Sequence, residues 1–456
     1  MINPALLALA ATVGITVTND AAFHISPYLA SMSLVYAWAP DVAYSNGTMA
    51  AWASAHGIAT ARYPAGMASY WNWQDPSGIM GKSTFDPSFH GPNAPEADWM
   101  SLGEYLDLCT RAGMRPLIGV NYNCHRHDWV PLNESIARAV KQVQYVVSRG
   151  FEGAIWYIGN EDGAPQHASQ IRAHAEAMKE VDPTLLAFYN DNALDGKALK
   201  KFLGEVGGVI DGAEFHGKWP NGGDPSHGAP VKSYTDWLEE APLLCHRTKT
   251  SWPARIKLLR AAAKEAGRPD LLLANNEYGL GKPPFMSGFS RFTKSLVVVE
   301  FAMAMFLGGY DVAAFWDNGD GGNVDHQDHM LLDTQAAYRM NPMHLGLALL
   351  FESANTTMLR LNTTAPRVYG FAAREDGPAG SPSSTTRVYL INKFEAAQAV
   401  QIAVPPSLGA LARGTSMVDT ADHWGAVQPT AVHCAAGVCS ATLPAVSFTR
   451  FITSAV

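Results

Sequence analysis

The sequence predicts an α/β protein, a (β/α)8 TIM barrel followed by a C-terminal antiparallel β-sandwich domain. Between residues 25 and 351, β-favouring apolar runs alternate eight times with amphipathic helical runs. Two of those apolar runs end in a glutamate. From residue 352 to residue 456 short strand-like runs, separated by turn-rich segments, replace the alternation. We therefore expect a catalytic barrel over 25–351 and a β-sandwich over 352–456.

The barrel elements follow from apolar periodicity and from glycines that end helices. The predicted strands are Ser31–Trp38, Ile58–Gly66, Pro116–Asn123, Glu152–Gly159, Leu185–Asn190, Val209–Phe215, Asp270–Glu277 and Asp311–Trp316. The predicted helices are Thr48–His56, Trp99–Ala112, Ser135–Arg149, Ala168–Val181, Gly196–Val206, Trp252–Ala266, Phe289–Leu307 and Ala336–Phe351.

The sandwich is predicted from six runs of alternating residues. They are Thr357–Leu361, Arg367–Phe371, Thr386–Asn392, Ala399–Val404, Thr430–Cys434 and Val446–Ile452. Residues 1–24 form a separate N-terminal segment. Its apolar, Ala-rich start is either the remnant of a secretory signal or a strand of the sandwich, since Val13–Val17 leads into Thr18-Asn19-Asp20.

Composition narrows the class of partner. Over 456 residues, 33 Lys and Arg face 41 Asp and Glu, which gives a formal charge of −8 and no basic block for nucleic acid. The 12 Trp and 16 Tyr suit a carbohydrate partner, because aromatic faces stack on sugar rings as well as filling cores. The apolar run Ser295–Gly309 carries Glu300 and is too short for a membrane span. No cofactor is indicated, and the oligomeric state is left open.

Cysteines and sequons bear on location. Five cysteines exclude a disulfide scaffold, but Cys434 and Cys439 bracket a short turn and are placed to bridge a hairpin. Cys109, Cys124 and Cys245 are isolated and are expected to be buried thiols. Four Asn-X-Ser/Thr sequons start at Asn46, Asn133, Asn355 and Asn362. Together these features favour a secreted or extracellular glycoprotein, with a lysosomal or vacuolar location included.

The central motif is Gly153-Ala-Ile-Trp-Tyr-Ile-Gly-Asn160-Glu161-Asp-Gly163, a buried strand that ends in an Asn-Glu pair. Leu271-Leu-Leu-Ala-Asn-Asn-Glu277-Tyr278-Gly279 repeats the plan more than a hundred residues later. Strand ends of a barrel converge on one face, so the two glutamates are candidates for paired-carboxylate chemistry. Alone, either glutamate would more often be a loop residue or a salt-bridge partner.

Other polar and aromatic residues fall at predicted strand ends and are candidates for binding substrate. Arg62 is one, although a buried ion pair that supports the site is nearly as good an interpretation. For the aromatic residues, packing at the rim is the alternative. The substrate-binding candidates are Asn160, Arg62, Trp71, Trp73, Asn121, His216, Trp219, Tyr278 and Trp316.

These motifs resemble those of retaining glycoside hydrolases built on a (β/α)8 barrel. Trp156-Tyr-Ile-Gly-Asn160-Glu161 is similar to the acid/base motif of α-L-arabinofuranosidases, and Arg62-Tyr-Pro-Ala-Gly66 to the second-strand motif of those enzymes and of certain agarases and β-glucuronidases. The resemblance implies that Glu161 is the general acid/base, Glu277 the nucleophile, and Asn160 a partner of the sugar 2-hydroxyl. The context Asn276-Glu277-Tyr278 departs from the arabinofuranosidase pattern, which leaves the substrate open.

Two other classes of protein compete with a glycosidase. A metal-dependent hydrolase would draw ligands from Asp317, Asp320, Asp325, His326, Asp328 and His329, although the glycines from 319 to 322 favour a loop there, with or without a structural cation. The tight cluster His125-Arg-His127-Asp128 lacks further ligands in view, so no metal site is predicted. A non-catalytic carbohydrate-binding barrel is the other alternative.

Overall fold

A computed structural model describes residues 12–34, 47–70, 73, 100–122, 131–161, 167–191, 195–219, 233–239, 252–280, 288–316, 330–333, 336, 339–375 and 385–453. Within them, eight parallel strands close into a barrel in chain order, β2 to β9, and a ten-stranded sheet lies beside it. The predicted fold class is confirmed. The barrel strands are β2 Ser31–Ser33, β3 Thr60–Tyr63, β4 Arg115–Val120, β5 Ile155–Ile158, β6 Leu186–Asn190, β7 Gly212–Trp219, β8 Leu272–Leu280 and β9 Val312–Phe315.

Helices follow the strands and cover the outside of the barrel. Several begin at a side-chain cap and end at a left-handed glycine, as at Ser101 with Glu104 and Gly113, and at Ser290 and Gly309. The described helices are α1 Thr48–Ala55, α2 Leu102–Ala112, α3 Leu132–Ser148, α4 Ala168–Val181, α5 Gly196–Val206, α6 Tyr234–Glu239, α7 Trp252–Glu265, α8 Arg291–Gly308 and α9 Met343–Phe351.

Side chains of the described strands pack together inside the barrel. A Cβ on Gly119 would lie 2.5 Å from the Cβ of Ala68 and 2.6 Å from Cζ of Tyr157, which explains the glycine in β4. Since the bottom and middle of the barrel are packed, chemistry is confined to the rim at the carboxyl ends of the strands. The interior cluster is Ala68, Leu117, Ile155, Tyr157, Phe188, Ala274 and Val312.

The second sheet runs in the order β17-β16-β20-β14-β13-β12-β1-β15-β19-β18 and encloses its own apolar core. Strand β1 lies inside this sheet, antiparallel to β12 and parallel to β15, so the segment from Val13 is a strand of the sandwich. The strands are β1 Val13–His24, β12 Thr357–Thr363, β13 Val368–Arg374, β14 Thr386–Asn392, β15 Gln398–Ala403, β16 Leu411–Val418, β17 Ala426–Thr430, β18 Val432–Ala435, β19 Val438–Leu443 and β20 Ser447–Thr453.

Several sequence predictions differ from the structure. The last barrel helix starts at Met343 and not at Ala336, because Pro342 disfavours helical backbone at the residue before it. Residues 339–340 instead pair with residues 332–333. The two short strands of this hairpin are β10 Leu332–Asp333 and β11 Arg339–Met340. Strands β16 and β17 were not predicted, since small and polar residues interrupt their apolar alternation. Strand β19 is the second strand of the hairpin expected from Cys434 and Cys439. Helix α6 lies between the predicted strand Val209–Phe215 and the predicted helix Trp252–Ala266, where no element was predicted.

The sandwich packs on the helices α8 and α9. A buried ion pair joins the sandwich to α8, because Nζ of Lys393, just after β14, lies 3.1 Å from Oε1 of Glu300 in that helix. Tyr369 from β13 donates to the same carboxylate, and Trp237 from α6 donates to its other oxygen at 2.5 Å. One buried carboxylate therefore connects barrel, sandwich and the segment between β7 and α7.

Some predictions concern single residues. Cys434 and Cys439 form a disulfide across the β18–β19 hairpin, and Cys109 is a buried thiol, whereas Cys124 and Cys245 lie outside the described residues. Asn133, Asn355 and Asn362 are exposed, and Asn46 lies outside the described residues. Among the described helices, none is long and apolar enough to cross a membrane.

Candidate active site

The two predicted catalytic glutamates and His216 meet at the carboxyl-terminal rim of the barrel. Nδ1 of His216 lies 2.7 Å from Oε1 of Glu161 and 3.4 Å from Oε2 of Glu277. One oxygen of each carboxylate and one ring nitrogen of the histidine all lie within 4.8 Å of one another. Residues from three strands, far apart in the chain, thus form one cluster at the pole where TIM barrels carry their active sites.

Glu161 is held in an unusual backbone conformation just after β5. Its φ is +58°, in the left-handed region that a non-glycine residue rarely adopts, and Gly159 before it also has a positive φ of 79°. The backbone N–H of Glu161 donates to Oδ1 of Asn190 at 2.6 Å, which helps to fix this turn. The Glu161 side chain is 41% exposed, so a bound ligand can reach it.

Glu277 faces the cluster because β8 contains a β-bulge. Residues 275 and 278 pair with 215 and 217 on β7 and with 313 and 315 on β9, so β8 has one extra residue in that interval. Ala274 points into the barrel. Strict alternation would therefore turn Glu277 outward, and the extra residue turns it inward. Ser33 and Asn275 compensate the interrupted ladder, since Ser33 Oγ donates to the Asn276 carbonyl at 3.1 Å and Asn275 Oδ1 accepts from Gly217 N.

Arg62 is a fully buried cation beneath the cluster. Its Nη1 donates to Glu277 Oε1 at 2.8 Å, and its Nη2 donates to Asn160 Oδ1 at 2.7 Å. Its guanidinium lies 4.2 Å above the Tyr157 ring. Burial works against its charge, but the neighbouring carboxylates outweigh burial and raise the pKa of Arg62. This placement favours the interpretation as a supporting ion pair over direct contact with substrate.

Sequence reasoning missed two residues of the cluster, Glu214 in β7 and Asn190 at the end of β6. Glu214 is fully buried, pairs with Arg62 Nη2 at 3.0 Å, and accepts from Asn190 Nδ2 at 2.8 Å. Burial alone would raise the pKa of Glu214, but Arg62 and His216 lower it below its usual value. The available signal was a glutamate two residues before His216 in an otherwise apolar strand, a spacing that puts both on one face.

His216 is the residue shared by all three carboxylates. Nε2 lies 3.2 Å from Glu214 Oε1 on the side opposite the Glu161 contact. Burial opposes a charged imidazole, but the charge of Glu277 and the hydrogen bonds to Glu161 and Glu214 raise the pKa of His216 to about 9. When both neighbouring carboxylates are ionised, the groups around Nδ1 are acceptors, so that nitrogen carries a proton.

Trp316, directly after β9, borders the same space. A Cβ built on Gly66 would lie 3.3 Å from Cη2 of Trp316, 3.4 Å from Oε1 of Glu277 and 3.7 Å from Nδ2 of Asn160. These three predicted residues are therefore neighbours across the backbone of Gly66. A side chain at position 66 would press on all three, which explains the small residue in this segment.

The structure does not bring every predicted residue to the cluster. Tyr278 is fully buried and its ring packs against Phe301 and Phe315 on the outer side of the barrel, because the residue after an inward-facing one points outward. Trp73 is also buried away from it, where its Nε1 donates to the Arg138 carbonyl in α3 at 3.0 Å and its ring stacks on Tyr145.

Three further predicted residues are only partly placed. Asn121 follows β4, half-buried, and its backbone carbonyl accepts from Ser135 at 3.4 Å. Trp219 ends β7, where the structure describes only its backbone, and Trp71 lies outside the described residues.

Comparison with solved structures identifies similar folds. An α-L-arabinofuranosidase of family 51, AbfB from Bifidobacterium longum, matches with a TM-score of 0.67 and 16% identity over 97% of this chain and 99% of that one. The family 51 arabinofuranosidase from Xanthomonas axonopodis pv. citri matches at 0.66 and 14% over 97% and 100%. CelM2, a bifunctional glucanase-xylanase from a metagenome library, matches at 0.64 and 14% over 98% and 99%. These likenesses establish the fold. No protein-family model and no curated protein sequence matches the chain.

A metal ion has one candidate position among the described residues, the cluster of Glu161, His216 and Glu277. The Arg62 guanidinium, bonded to Glu277 at 2.8 Å, opposes a divalent cation there, because it already supplies positive charge to the carboxylate. A proton on His216 Nδ1 also blocks that nitrogen as a ligand. The aspartates and histidines from Asp317 to His329, proposed as metal ligands, and the cluster at His125 lie outside the described residues.

Proposed function

We propose that the protein is a retaining glycoside hydrolase that cleaves O-glycosidic bonds of a poly- or oligosaccharide. The observation that carries this proposal is the close approach of two carboxylates, one exposed and one paired with a buried arginine, with an oxygen of each within 4.8 Å of the other. Retaining enzymes hold their carboxyl groups about 5 to 5.5 Å apart, whereas inverting enzymes leave about 6.5 to 9.5 Å for a water molecule. The short separation supports double displacement.

In the first step Glu277 attacks the anomeric carbon while Glu161 gives its proton to the leaving oxygen. Arg62 donates to Oε1 of Glu277 and so positions the carboxylate for this attack. A covalent glycosyl ester forms on Glu277, and Glu161 becomes a carboxylate. In the second step Glu161 takes a proton from water, and the resulting hydroxyl attacks the anomeric carbon and releases Glu277.

Asn160 and Trp316 are the substrate-binding residues that the geometry favours. Asn160 Oδ1 is held by Arg62, which directs Nδ2 towards the space between Gly66 and the catalytic pair, where it would donate to the sugar 2-hydroxyl. Trp316 offers an aromatic surface beside Glu277. The first substrates to test are α-L-arabinofuranosides, β-glucans and xylans, in line with the activities named for the similar structures.

The test combines a substrate screen with matched variants. Chromogenic glycosides and plant and algal polysaccharides identify the substrate. Glu161→Gln and Glu277→Gln should then lower turnover by several orders of magnitude, because each removes a group that one of the two steps requires. Glu300→Gln is the matched control, a buried glutamate outside the site, and should stay active. Wild-type-like rates in either site variant would refute the assignment, and inactivity of the wild type on every glycan would favour a non-catalytic binding barrel.

Azide rescue separates the roles of the two glutamates. On a substrate with a good leaving group, azide should rescue Glu161→Ala and give a glycosyl azide of retained configuration, since Glu277 still forms the covalent intermediate. Rescue of Glu277→Ala should give the inverted azide, because the anion attacks from the face that the nucleophile vacated. Proton NMR of the adducts reads the configuration. The opposite pattern would exchange the two roles.

We also propose that the protein acts outside the cytosol, as a secreted or lysosomal-type enzyme. The hairpin disulfide Cys434–Cys439 supports an oxidising compartment, and the exposed sequon asparagines Asn133, Asn355 and Asn362 are accessible to glycosylation.

A further inference from the structure

The two-step reaction uses two of the three carboxylates in the cluster and leaves Glu214 without a role. We propose that Glu214 is a positioning residue that holds His216 and Arg62 in place, and through these two residues orients Glu161 and Glu277. The catalytic consequence rests on the proposed glycosidase function, whereas the coupling of Glu214 to His216 does not.

The contacts of Glu214 place one of its oxygens at the centre of the network. Oε1 receives Arg62 Nη2 at 3.0 Å, Asn190 Nδ2 at 2.8 Å and His216 Nε2 at 3.2 Å. His216 Nε2 also lies 2.9 Å from the Asn190 amide nitrogen and 3.3 Å from Arg62 Nη2. Three nitrogen groups thus converge on one carboxylate oxygen, an arrangement that ionisation of Glu214 favours because the negative charge strengthens each hydrogen bond that it accepts.

Each partner of Glu214 makes a second contact with the catalytic pair. Arg62 continues to Glu277, His216 continues to Glu161, and Asn190 accepts from the backbone N–H of Glu161. Since Asn190 Oδ1 is taken by that N–H, its amide nitrogen must face Glu214. The buried carboxylate therefore orients three residues whose other ends reach the reacting groups.

Charge arithmetic shows what the third carboxylate does. Within the described part of the chain, the charged groups that face His216 are Arg62 from β3, Glu161 after β5, Glu214 in its own strand and Glu277 from β8, while Tyr157 below Arg62 stays neutral because burial raises its pKa. With His216 charged, two cations face three carboxylates among these residues, so one added proton makes this group of side chains neutral. That proton is the one the acid Glu161 must hold. Without the charge of Glu214, two cations balance two carboxylates, and nothing favours that proton.

The test compares Glu214→Gln, which removes the charge, with Glu214→Asp, which keeps it on a shorter side chain. The titration of His216 is followed by NMR of ¹⁵N-histidine-labelled full-length protein, with His216→Gln to assign the signal. In Glu214→Gln this titration and the alkaline limb of kcat/KM should both move to lower pH by about one unit or more. In Glu214→Asp the His216 titration and the alkaline limb should both stay near their wild-type pH. The value of kcat/KM should fall at least about tenfold, because the shorter side chain lengthens the contacts of the carboxylate with its partners.

Glu300→Gln is the control, because it removes the charge of a buried salt bridge with Lys393 without touching the cluster. It should leave the His216 titration and the pH profile unchanged. An unshifted His216 titration in Glu214→Gln would overturn the proposal. If that variant does not fold, a Glu214→Asp enzyme with full wild-type kcat/KM would overturn it equally. Since the NMR titration needs no substrate, it tests the placement of Glu214 even if the protein hydrolyses no glycoside.

Discussion

At the scale of single residues, the direction of a side chain separates function from packing. Glu277 and Tyr278 are neighbours in one strand, yet one faces Arg62 and the other faces the helix layer. The Tyr278 hydroxyl has no hydrogen-bond partner among the described residues, and burial raises its pKa, so it remains a neutral hydroxyl in an apolar layer. Its adjacency to the proposed nucleophile therefore carries no catalytic meaning.

Tyr278→Phe should leave kcat/KM within about twofold of the wild type. The change removes a buried hydroxyl without a described partner, so the thermal midpoint should stay the same or rise slightly, within about 1 kcal/mol of unfolding free energy. Trp316→Phe is the comparison, because its ring borders Glu277 and its truncation should lower kcat/KM. Kinetics and thermal denaturation of both variants check this. A tenfold loss in Tyr278→Phe would return this residue to the substrate site.

At the scale of elements, the bulge in β8 decides which residues reach the rim. At the irregularity, Oδ1 of Asn275 accepts from the β7 backbone, and the hydroxyl of Ser33 donates to the main-chain carbonyl of Asn276. These two side chains replace ladder hydrogen bonds that an extra residue removes. A regular strand of the same composition would present Glu277 to the helices.

Deleting Asn276 should leave Glu277 facing the cluster, because Glu277 then directly follows the outward-facing Asn275 and regular alternation turns it inward. The variant should therefore keep far more activity than Glu277→Gln. Asn276→Ala, which keeps the residue count and the bulge, is the comparison. Circular dichroism, thermal denaturation and kinetics of the pair test this. A deletion variant as inactive as Glu277→Gln would contradict this account of β8.

At the scale of the whole molecule, the N-terminal strand completes the C-terminal domain. Strand β1 lies between β12 and β15, so the sheet that residues 352–456 would form alone is divided into two parts. The sandwich also rests on the barrel helices, where a Cβ on Gly346 in α9 would lie 2.8 Å from Sδ of Met417. Barrel and sandwich are thus connected by sequence as well as by packing.

A fragment of residues 352–456 should therefore not unfold cooperatively, because two strand edges and an apolar face are left uncovered. Adding a synthetic peptide of residues 12–24 should increase its ordered strand content, since the peptide fills the gap between β12 and β15. Circular dichroism and denaturant titration measure both effects, and a scrambled peptide is the control. A monomeric fragment that unfolds cooperatively without the peptide would contradict this view of the domain.

Much of the architecture follows from the sequence alone. Alternating apolar periods and helix-ending glycines predicted the barrel, and the two strand-end motifs predicted Glu161 and Glu277 in one cluster, because the carboxyl ends of barrel strands always meet. These features are local, or follow from the topology alone. The hairpin disulfide was likewise expected from the short spacing of Cys434 and Cys439.

Only the tertiary structure decided which side chains face one another. The inward turn of Glu277 depends on a bulge that is defined by the pairing of β8 with two other strands. The burial of Trp73 depends on α3, and the charged state of Arg62 and Glu214 depends on their pairing across the barrel. Strand β1 found its partners more than three hundred residues away. Periodicity reports the face of a single strand, whereas electrostatics and strand pairing arise between segments that the sequence keeps apart.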